Sequence, residues 1–217
     1  MRRELRPTPA ETPARKRFSK YKPEPSKTVR KAQVKESPMQ KKLKAACRRY
    51  TRTKGMVVTQ VADNVEFHNP KRKAIVEDML KAIDYSAKDV EKFSLSLGNL
   101  VQSLDKGMVV EFLNYLIMHC KDSDYVVYTE GLGSDFQYFL LHNTKNVVVH
   151  GDLGWNACHV MWSGKVTTTG DAYPGLARSM QGGIIEVQGT IHQESMVAQR
   201  STGGEIYNRG RPVRRDV

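Results

Sequence analysis

Cysteine is scarce in this sequence of 217 residues: there are three, Cys47, Cys120 and Cys158, at wide spacing. An odd number of distant cysteines excludes a disulfide framework and a self-contained iron–sulfur or zinc cluster. We therefore expect reduced cysteines in a cytoplasmic protein, with no metal site.

Long apolar segments are missing too. No run approaches the roughly 20 apolar residues of a bilayer-spanning helix, and the N-terminal stretch MRRELRPTPAETPARKR lacks the apolar core of a signal peptide. The sequence thus predicts neither a membrane span nor secretion. Its length suits one domain of ordinary size with an appendage.

The formal net charge of +12 comes from one end of the chain. Residues 1–54 hold 19 Lys and Arg against four acids, a balance of +15, whereas residues 55–217 hold 16 against 19, a balance of −3. Six of the nine prolines also lie in residues 1–54, where large apolar residues are few. Such a segment buries too little surface to offset an ordering cost of about 1–2 kcal/mol per residue. The sequence predicts a disordered, basic, Pro-rich tail over residues 1–54.

This tail has two interpretations. It neutralises phosphates on RNA, DNA or another polyanion, with salt-sensitive and largely sequence-independent affinity, or it is a solvated arm that tethers a partner or carries a localisation signal such as KKLK at residues 41–44. The residues assigned to the polyanion contact are Arg15, Lys16, Arg17, Lys41, Lys42, Lys44, Arg48 and Arg49.

Residues 55–122 mix two periodicities and are predicted to form an α/β capping segment. The β-branched run at residues 56–67 predicts one strand or a short hairpin, and residues 93–104 fit either a strand or a helix. Asn69 and Pro70 predict a helix start, and one face of that helix would carry Ile75, Val76, Met79, Leu80 and Ile83.

The clearest helical pattern covers residues 104–120. A wide apolar stripe recurs there at helical spacing: Val109, Phe112, Leu113, Leu116, Ile117 and Cys120. A helix with so wide an apolar stripe must pack against a large apolar surface.

From Tyr125 onward the sequence repeats with a period near 19 residues. Glycines end successive apolar segments at Gly131, Gly151, Gly170, Gly189 and Gly210, and a second series lies six residues before the later ones at Gly164, Gly183 and Gly204. Four residues before each glycine of the first series stand Val127, Val147, Val166, Ile185 and Ile206. This register is typical of a short strand closed by a glycine turn.

A unit of about 19 residues cannot bury its own apolar face, so successive units are expected to stack into a solenoid. Glycine suits corners that require a positive φ or leave no room for a Cβ. The predicted fold is mainly β: a short parallel β-helix of about five rungs over residues 123–212, whose open end is capped by the helix at 104–120. The alternative is an ordinary α+β domain with glycine-rich hairpins.

The repeats resemble the GXGXG family, which includes the C-terminal domain of the glutamate synthase large subunit and one of the subunits of formylmethanofuran dehydrogenase. The resemblance covers residues 125–212 and rests on the unit GG-x-[Ile/Val]-x-Val-x-G, on Met161 and Met180, and on the pairs Gly151-Asp152, Gly170-Asp171 and Gly189-Thr190. It implies a right-handed parallel β-helix with an architectural role inside a larger oxidoreductase. Gly154 and Gly175 would supply the glycine-rich corner within a rung.

The catalytic parts of glutamate synthase have no recognisable counterpart here, since the chain starts Met1-Arg2 without a nucleophilic cysteine and shows no flavin-binding barrel. We therefore expect a non-catalytic scaffold module that docks to a protein partner, with no catalytic residue and no cofactor. Two alternatives stay open. One is a nucleic-acid-associated protein that binds phosphates through its tail, and the other is an accessory subunit of a glutamate-synthase-like or formylmethanofuran-dehydrogenase-like oxidoreductase.

Several other side chains are candidate site residues. The pairs His119-Cys120 and Cys158-His159 have metal-ligand chemistry, but adjacent residues on a strand point to opposite faces. Turn aspartates are usually satisfied by backbone N–H groups, so we expect structural roles for His150, Asp152, His159, Asp135 and Asp171. Core filling is likewise expected for the aromatic residues on the first two rungs, with a binding face as the alternative: Tyr125, Tyr128, Phe136, Tyr138, Phe139, Trp155 and Trp162.

Overall fold

The computed structural model describes residues 36–53 and 70–213, with only the backbone of residues 70–72. In this part of the chain the helices are α1 (Pro38–Thr51), α2 (Pro70–Lys81), α3 (Ala87–Ser94), α4 (Leu97–Leu100) and α5 (Lys106–His119). The strands are β1 (Asp124–Tyr128), β2 (Asn146–His150), β3 (Lys165–Thr168), β4 (Ile184–Val187), β5 (Glu205–Asn208) and β6 (Arg211–Pro212).

Strands β1 to β5 pair in chain order and all in parallel. Parallel neighbours need a crossover connection, and here each crossover is one turn of a solenoid. Five stacked strands therefore define about four turns, which confirms the predicted parallel β-helix with a helical segment before it. Its inward-facing side chains form a buried column: Tyr125, Val147, Val166, Ile185 and Ile206.

The predicted register is wrong in the first turn. Val127 lies beside Val149, and it is Tyr125 that lies beside Val147. The step from the first strand to the second is therefore 22 residues, from 125 to 147, whereas the next three steps are 19, 19 and 21. The extra length accommodates a 3₁₀ turn at Glu130–Leu132, which later turns lack at this place.

Two of the predicted turn glycines have other roles. Gly131 lies in the 3₁₀ turn, where an added Cβ would come within 2.7 Å of the Cα of Gly98 in α4. The first corner position belongs instead to Thr129, whose Oγ1 faces Gly151. Gly210 forms a two-residue hairpin turn with Arg209, at φ values of 75° and 51°, and this turn reverses the chain into the antiparallel strand β6.

The remaining corner glycines stack on one another from turn to turn. A Cβ on Gly170 would overlap the carbonyl oxygen of Gly151, and one on Gly189 would overlap that of Gly170. The second series needs glycine for its backbone conformation, with φ values of 80°, 92° and 87° at Gly164, Gly183 and Gly204. Close stacking excludes a Cβ in both series, since one on Gly164 would also overlap the Lys145 carbonyl oxygen, and the positive φ is a further requirement of the second series.

Helix α1 shows that the predicted disorder of residues 1–54 is wrong at its C-terminal end. Ser37 caps the helix, because its Oγ accepts a hydrogen bond from the Gln40 amide at 3.2 Å. Leu43, Cys47 and Tyr50 are fully buried at helical spacing, a short apolar stripe that the average composition of the segment obscures. Residues 1–35 lie outside the described residues, so disorder there stays a prediction.

In the described residues of the capping segment the regular structure is helical. The expected helix at residue 70 is α2, whereas the strand or hairpin at 56–67 lies outside the described residues. The ambiguous stretch at 93–104 is helical, and the strand interpretation of it is wrong. Ser94 and Ser96 donate hydrogen bonds to the carbonyls of Glu91 and Phe93 at 2.6 and 2.7 Å, as serines in helical turns do.

The helices cover the exposed edge of the first solenoid turn. Along β1, the Ser94 hydroxyl of α3 accepts from the Tyr128 amide at 3.0 Å. The Asn114 side chain of α5 accepts from the Leu140 amide at 2.8 Å and donates to the Tyr138 carbonyl at 3.0 Å. In later turns the amides at the Leu140 position, those of Cys158, Ala177 and Ala198, donate to carbonyls of the preceding turn, so the Asn114 side-chain oxygen replaces a missing peptide carbonyl.

One core continues from the helices into the solenoid. Phe93 of α3 and Phe112 of α5 pack at 5.7 Å between ring centroids, and both belong to the same buried cluster as Val149 and Val187. The predicted boundary between residues 122 and 123 therefore separates kinds of secondary structure within one core.

The corner geometry predicts a large effect of Gly170→Ala. Its Cβ would meet backbone atoms of Gly151 that other turns hold in place, so we expect a loss of at least about 2 kcal/mol of unfolding free energy. The control is Gly107→Ala on the exposed side of α5, where a Cβ would meet only the Asp105 side chain, at 3.3 Å, so the change should stay within about 1 kcal/mol of the parent. Equal denaturation midpoints for the two variants would contradict the stacked corner.

The cap predicts a specific role for Asn114. Asn114→Leu keeps the volume but leaves the buried Leu140 amide without an acceptor, which should cost about 1–3 kcal/mol in urea denaturation. The same change at Asn99, an exposed residue of α4, should stay within about 0.5 kcal/mol of the parent. A neutral Asn114→Leu variant would show that the amide does not replace a turn.

Candidate functional site

Each turn contains a ribbon in which every second residue has a positive φ. The ribbons contain Tyr138, Leu140 and His142; then Asn156, Cys158 and Val160; then Gly175, Ala177 and Ser179; then Ala198 and Arg200. This is the alternation that a G-x-G-x-G sequence would suit, although Gly175 is the sole glycine among these positions. Left-handed conformations cost non-glycine residues about 1–3 kcal/mol each, so the surrounding structure must impose them.

Hydrogen bonds to both neighbouring turns impose the ribbon geometry. The Tyr138 amide donates forward to the Trp155 carbonyl, and the Cys158 amide donates back to the Phe139 carbonyl, both at 2.8 Å. Gly154, the other expected corner glycine, lies outside the alternation and is needed because a Cβ there would overlap the Phe136 carbonyl. The ribbon amides are therefore committed to the fold.

The turn aspartates form a ladder along one corner. Asp152 Oδ1 accepts from the Asp171 amide at 2.9 Å, and Asp171 Oδ1 accepts from the Thr190 amide at 2.7 Å. The hydrogen bond from the Thr190 N–H, and to a smaller extent the one with His192 Nε2 at 3.1 Å, holds the pKa of Asp171 below its usual value. The expected backbone partners are confirmed, but they come from the next turn. The glycines of this corner leave room for the aspartate side chains to lie close to the backbone of the next turn.

The other acid–base candidates also have structural partners. Asp135 forms an ion pair with Lys106 of α5, which lowers the pKa of the carboxyl group. Lys106 Nζ donates to the Leu132 carbonyl as well, at 2.9 Å. His150 stacks on Tyr128 with ring centroids 4.9 Å apart. These contacts tie α5 to the first turn and the first turn to the second.

The two His–Cys pairs do not form one site. Cys158 is fully buried, and burial raises the pKa of its thiol to about 12. Cys120 Sγ lies 3.5 Å from the Tyr85 carbonyl, and His119 Nε2 lies 3.7 Å from Glu77 Oε1. Across residues 36–53 and 70–213, no group of three or more His, Cys, Asp or Glu side chains is placed to hold a metal ion.

His159, for which a structural role was expected, is a buried histidine whose lack of hydrogen-bond partners the sequence did not indicate. Its side chain is 3% exposed and lies edge-on to Tyr138 at 5.9 Å. Neither ring nitrogen has a hydrogen-bond partner in the described part of the chain. Burial, and then the positive charges of Arg178 and His142, lower its pKa to about 4. The ring is therefore neutral near pH 7, and no sequence signal marks it because the ribbon is neither helix nor strand.

The aromatic residues divide into core and surface groups. Tyr125, Phe136, Tyr138 and Phe139 are buried, as expected. The expected core filling is wrong for Trp155 and Trp162, which are 43% and 51% exposed and lie at the two ends of the second ribbon. Trp162 contacts His142 with centroids 5.3 Å apart. These two tryptophans, called the Trp pair below, are the largest exposed apolar side chains of the described solenoid.

The predicted polyanion residues also fall into different groups: most of those on α1 are exposed, one is paired, and three lie outside the described residues. Lys41, Lys42, Arg48 and Arg49 are exposed on α1. Lys44 is partly buried and forms an ion pair with Glu36, which lowers the pKa of that carboxyl group. Arg52, just after α1, is exposed as well, although the sequence assignment omitted it. Arg15, Lys16 and Arg17 lie outside the described residues.

A cavity of about 400 Å³ lies beside the C-terminal ends of α2 and α5. Its wall mixes acids and bases: Glu77, Lys81, Asp84, His119 and Lys121. No helix in the described ranges is long and apolar enough to cross a membrane.

Comparison with known proteins supplies no relative from which to assign the site. No family model, curated protein or solved structure matches the chain. Its function must therefore be argued from these surfaces.

The buried imidazole predicts a pH dependence of stability. As the pH falls from about 6.5 to about 4, the unfolded chain protonates His159 while the folded chain does not, so the unfolding free energy should fall by up to about 1.4 kcal/mol per pH unit. His159→Phe should remove this contribution, whereas His150→Phe at the surface stack should retain it. Parallel curves of denaturation midpoint against pH for wild type and His159→Phe would contradict the prediction.

Proposed function

We propose that the protein is a non-catalytic assembly module whose solenoid docks to a protein partner through the Trp pair. The observation that carries the proposal is the presence of two half-exposed tryptophans on one turn. Tryptophan is enriched among the residues that dominate binding energy at protein interfaces, because its ring buries a large area with few rotatable bonds. Trp155 and Trp162 both belong to the second turn and lie seven residues apart in the sequence.

The backbone beneath the Trp pair is rigidly held. The Trp155 amide donates to the Phe136 carbonyl at 2.9 Å, and its own carbonyl accepts from Tyr138. The Trp162 amide donates to the Asn143 carbonyl at 3.0 Å. A partner would therefore meet aromatic side chains on a preorganised frame, which reduces the ordering cost of binding.

The use of the polar side chains supports an architectural role. Asp152 and Asp171 accept backbone hydrogen bonds between turns, and Asp135 anchors α5. Carboxylates that would serve acid–base chemistry in an enzyme are thus occupied in holding the coil together. The compartment we propose is cytoplasmic and reducing, which agrees with three buried, free cysteines.

A finer version of the proposal follows the GXGXG resemblance. The alternating positive φ at Gly175, Ala177 and Ser179 is the backbone conformation that favours glycine at every second position, so the ribbon supports that relationship. In this version the partner is a catalytic chain of an oxidoreductase and carries the cofactors itself.

Native mass spectrometry of the protein from its own cells tests the assembly role. We expect a stoichiometric companion chain that is lost in the double variant Trp155→Ala, Trp162→Ala. The control is Leu95→Ala, since Leu95 is 62% exposed but lies among the helices, and that variant should keep the companion. A wild-type protein that is monomeric without companions, or a double variant that retains its companion, would refute the proposal.

A further inference from the structure

The outer face of α1 carries an ordered cluster of positive charge. Lys41, Lys42, Arg48, Arg49 and Arg52 are all exposed, and α1 itself contains no acidic residue. At 100° per residue these five side chains project within an arc of about 120° on the side opposite Leu43 and Tyr50. We name these five residues the α1 cationic face.

No salt bridge neutralises these charges inside the described part of the protein, although the Glu36 carboxylate attracts Lys41 and Arg48 at longer range. The acid Glu36 pairs with Lys44 at the edge of the helix, and none of the five residues of the face forms a salt bridge with a described acid. Residues 1–35 hold 12 Lys and Arg against three acids, so the sequence that leads into α1 adds charge of the same sign. Like charges held together in this way favour an external polyanion.

The face is rigid because the opposite side of α1 belongs to the core. Tyr50 packs on Phe112 and Tyr115 of α5 at centroid distances of 5.8 and 6.1 Å, and the Gln40 side chain donates to the Asp89 carbonyl at 3.0 Å. Cations on a helix fixed in this way need little ordering before they meet a ligand. This arrangement differs from the flexible tail that composition alone predicts.

The spacing of the charges suits a chain of phosphates. Lys41 and Lys42 precede Arg48 and Arg49 by seven residues, which is about 10.5 Å along a helix. The rise of about 3.4 Å per step is measured along the duplex axis, so successive phosphates of a winding strand lie farther apart than this. Arg52 extends the face by a further helical turn, so the five cations cover about 16.5 Å and can reach several successive phosphates.

The chemistry of the face distinguishes nucleic acid from a membrane surface. A helix that binds lipid inserts an apolar side into the bilayer, but Leu43, Cys47 and Tyr50 are already buried in the protein core. The face also presents no aromatic ring, so it lacks the groups that stack on bases. The geometry points to the sugar–phosphate backbone of RNA or DNA, bound without base recognition, as the ligand of the α1 cationic face.

Salt-dependent binding by the full chain tests this inference. The probes are duplex and single-stranded DNA and RNA of about 20 nucleotides, titrated by fluorescence anisotropy between about 50 and 200 mM salt. Changing the five residues of the α1 cationic face to Gln should make the slope of log K against log salt shallower by about 4 on duplex DNA and weaken binding at the lowest salt by at least about 100-fold. The effect should not depend on base sequence.

Two further variants separate charge from folding. Arg48→Lys, Arg49→Lys and Arg52→Lys together keep the charge and should keep the slope. Replacing five exposed cations elsewhere with Gln controls for net charge and should leave most of the slope; these are Lys88, Lys92, Lys121, Lys165 and Arg211. Melting temperatures and circular dichroism establish that each variant is folded.

Three outcomes would overturn the inference. The first is an unchanged slope in the folded Gln variant of the α1 cationic face, which would assign binding to residues 1–35. The second is an equal loss in the control variant, which would make net charge alone responsible. The third is binding to vesicles with about 30% anionic lipid, but to none of the nucleic acids, which would identify a membrane surface as the partner.

Discussion

Hydrogen bonds between the backbones of successive turns are the constraint on which this structure depends. Every turn of a solenoid needs a neighbour on both sides, so both ends require substitutes. At the first turn, Ser94 and Asn114 provide them from two helices. At the last, β6 pairs with β5, and the Asn208 side chain donates to the carbonyls of Val187 and Gly189 at 3.0 and 2.9 Å. Asn208 is polar where the strand before it has Val187, because its side chain closes the end of the coil.

The same constraint accounts for how the polar side chains are used. Backbones stacked this closely leave no space for a Cβ at Gly170 or Gly189, and they bring each turn aspartate to an amide of the next turn. Groups that resemble catalytic residues in the sequence are therefore committed to the coil. Among the described residues, the Trp pair on the second turn and the α1 cationic face on the helical cap remain available to other molecules.

The average composition of a segment and the repeat pattern of a segment differ in how well they predict such a fold. The period near 19 residues identified the solenoid, because each unit must present the same strand and corner to its neighbours. The predicted register is wrong at Gly131 because the first turn stacks on α4 and not on an earlier turn. The spacing of residues in the first turn is therefore set by contact with that helix. Composition failed at α1 for another reason: three core residues, Leu43, Cys47 and Tyr50, were averaged with many surface charges.

The order of residues alone was enough to specify the parallel coil over residues 123–212, the apolar helix before it and the concentration of positive charge at one end. Those features are local or periodic, and short-range physics specifies them. Packing in three dimensions was needed to show that Asn114 stands in for a missing turn, that His159 is a buried neutral ring, that Trp155 and Trp162 stay exposed, and that five cations share one ordered face. The first three depend on residues far apart in the chain that meet through packing, and no spacing along the sequence encodes such a meeting. Helical spacing places the five cations on one arc, but α1 is held in place by packing on Phe112 and Tyr115 of α5, which the sequence around it does not specify.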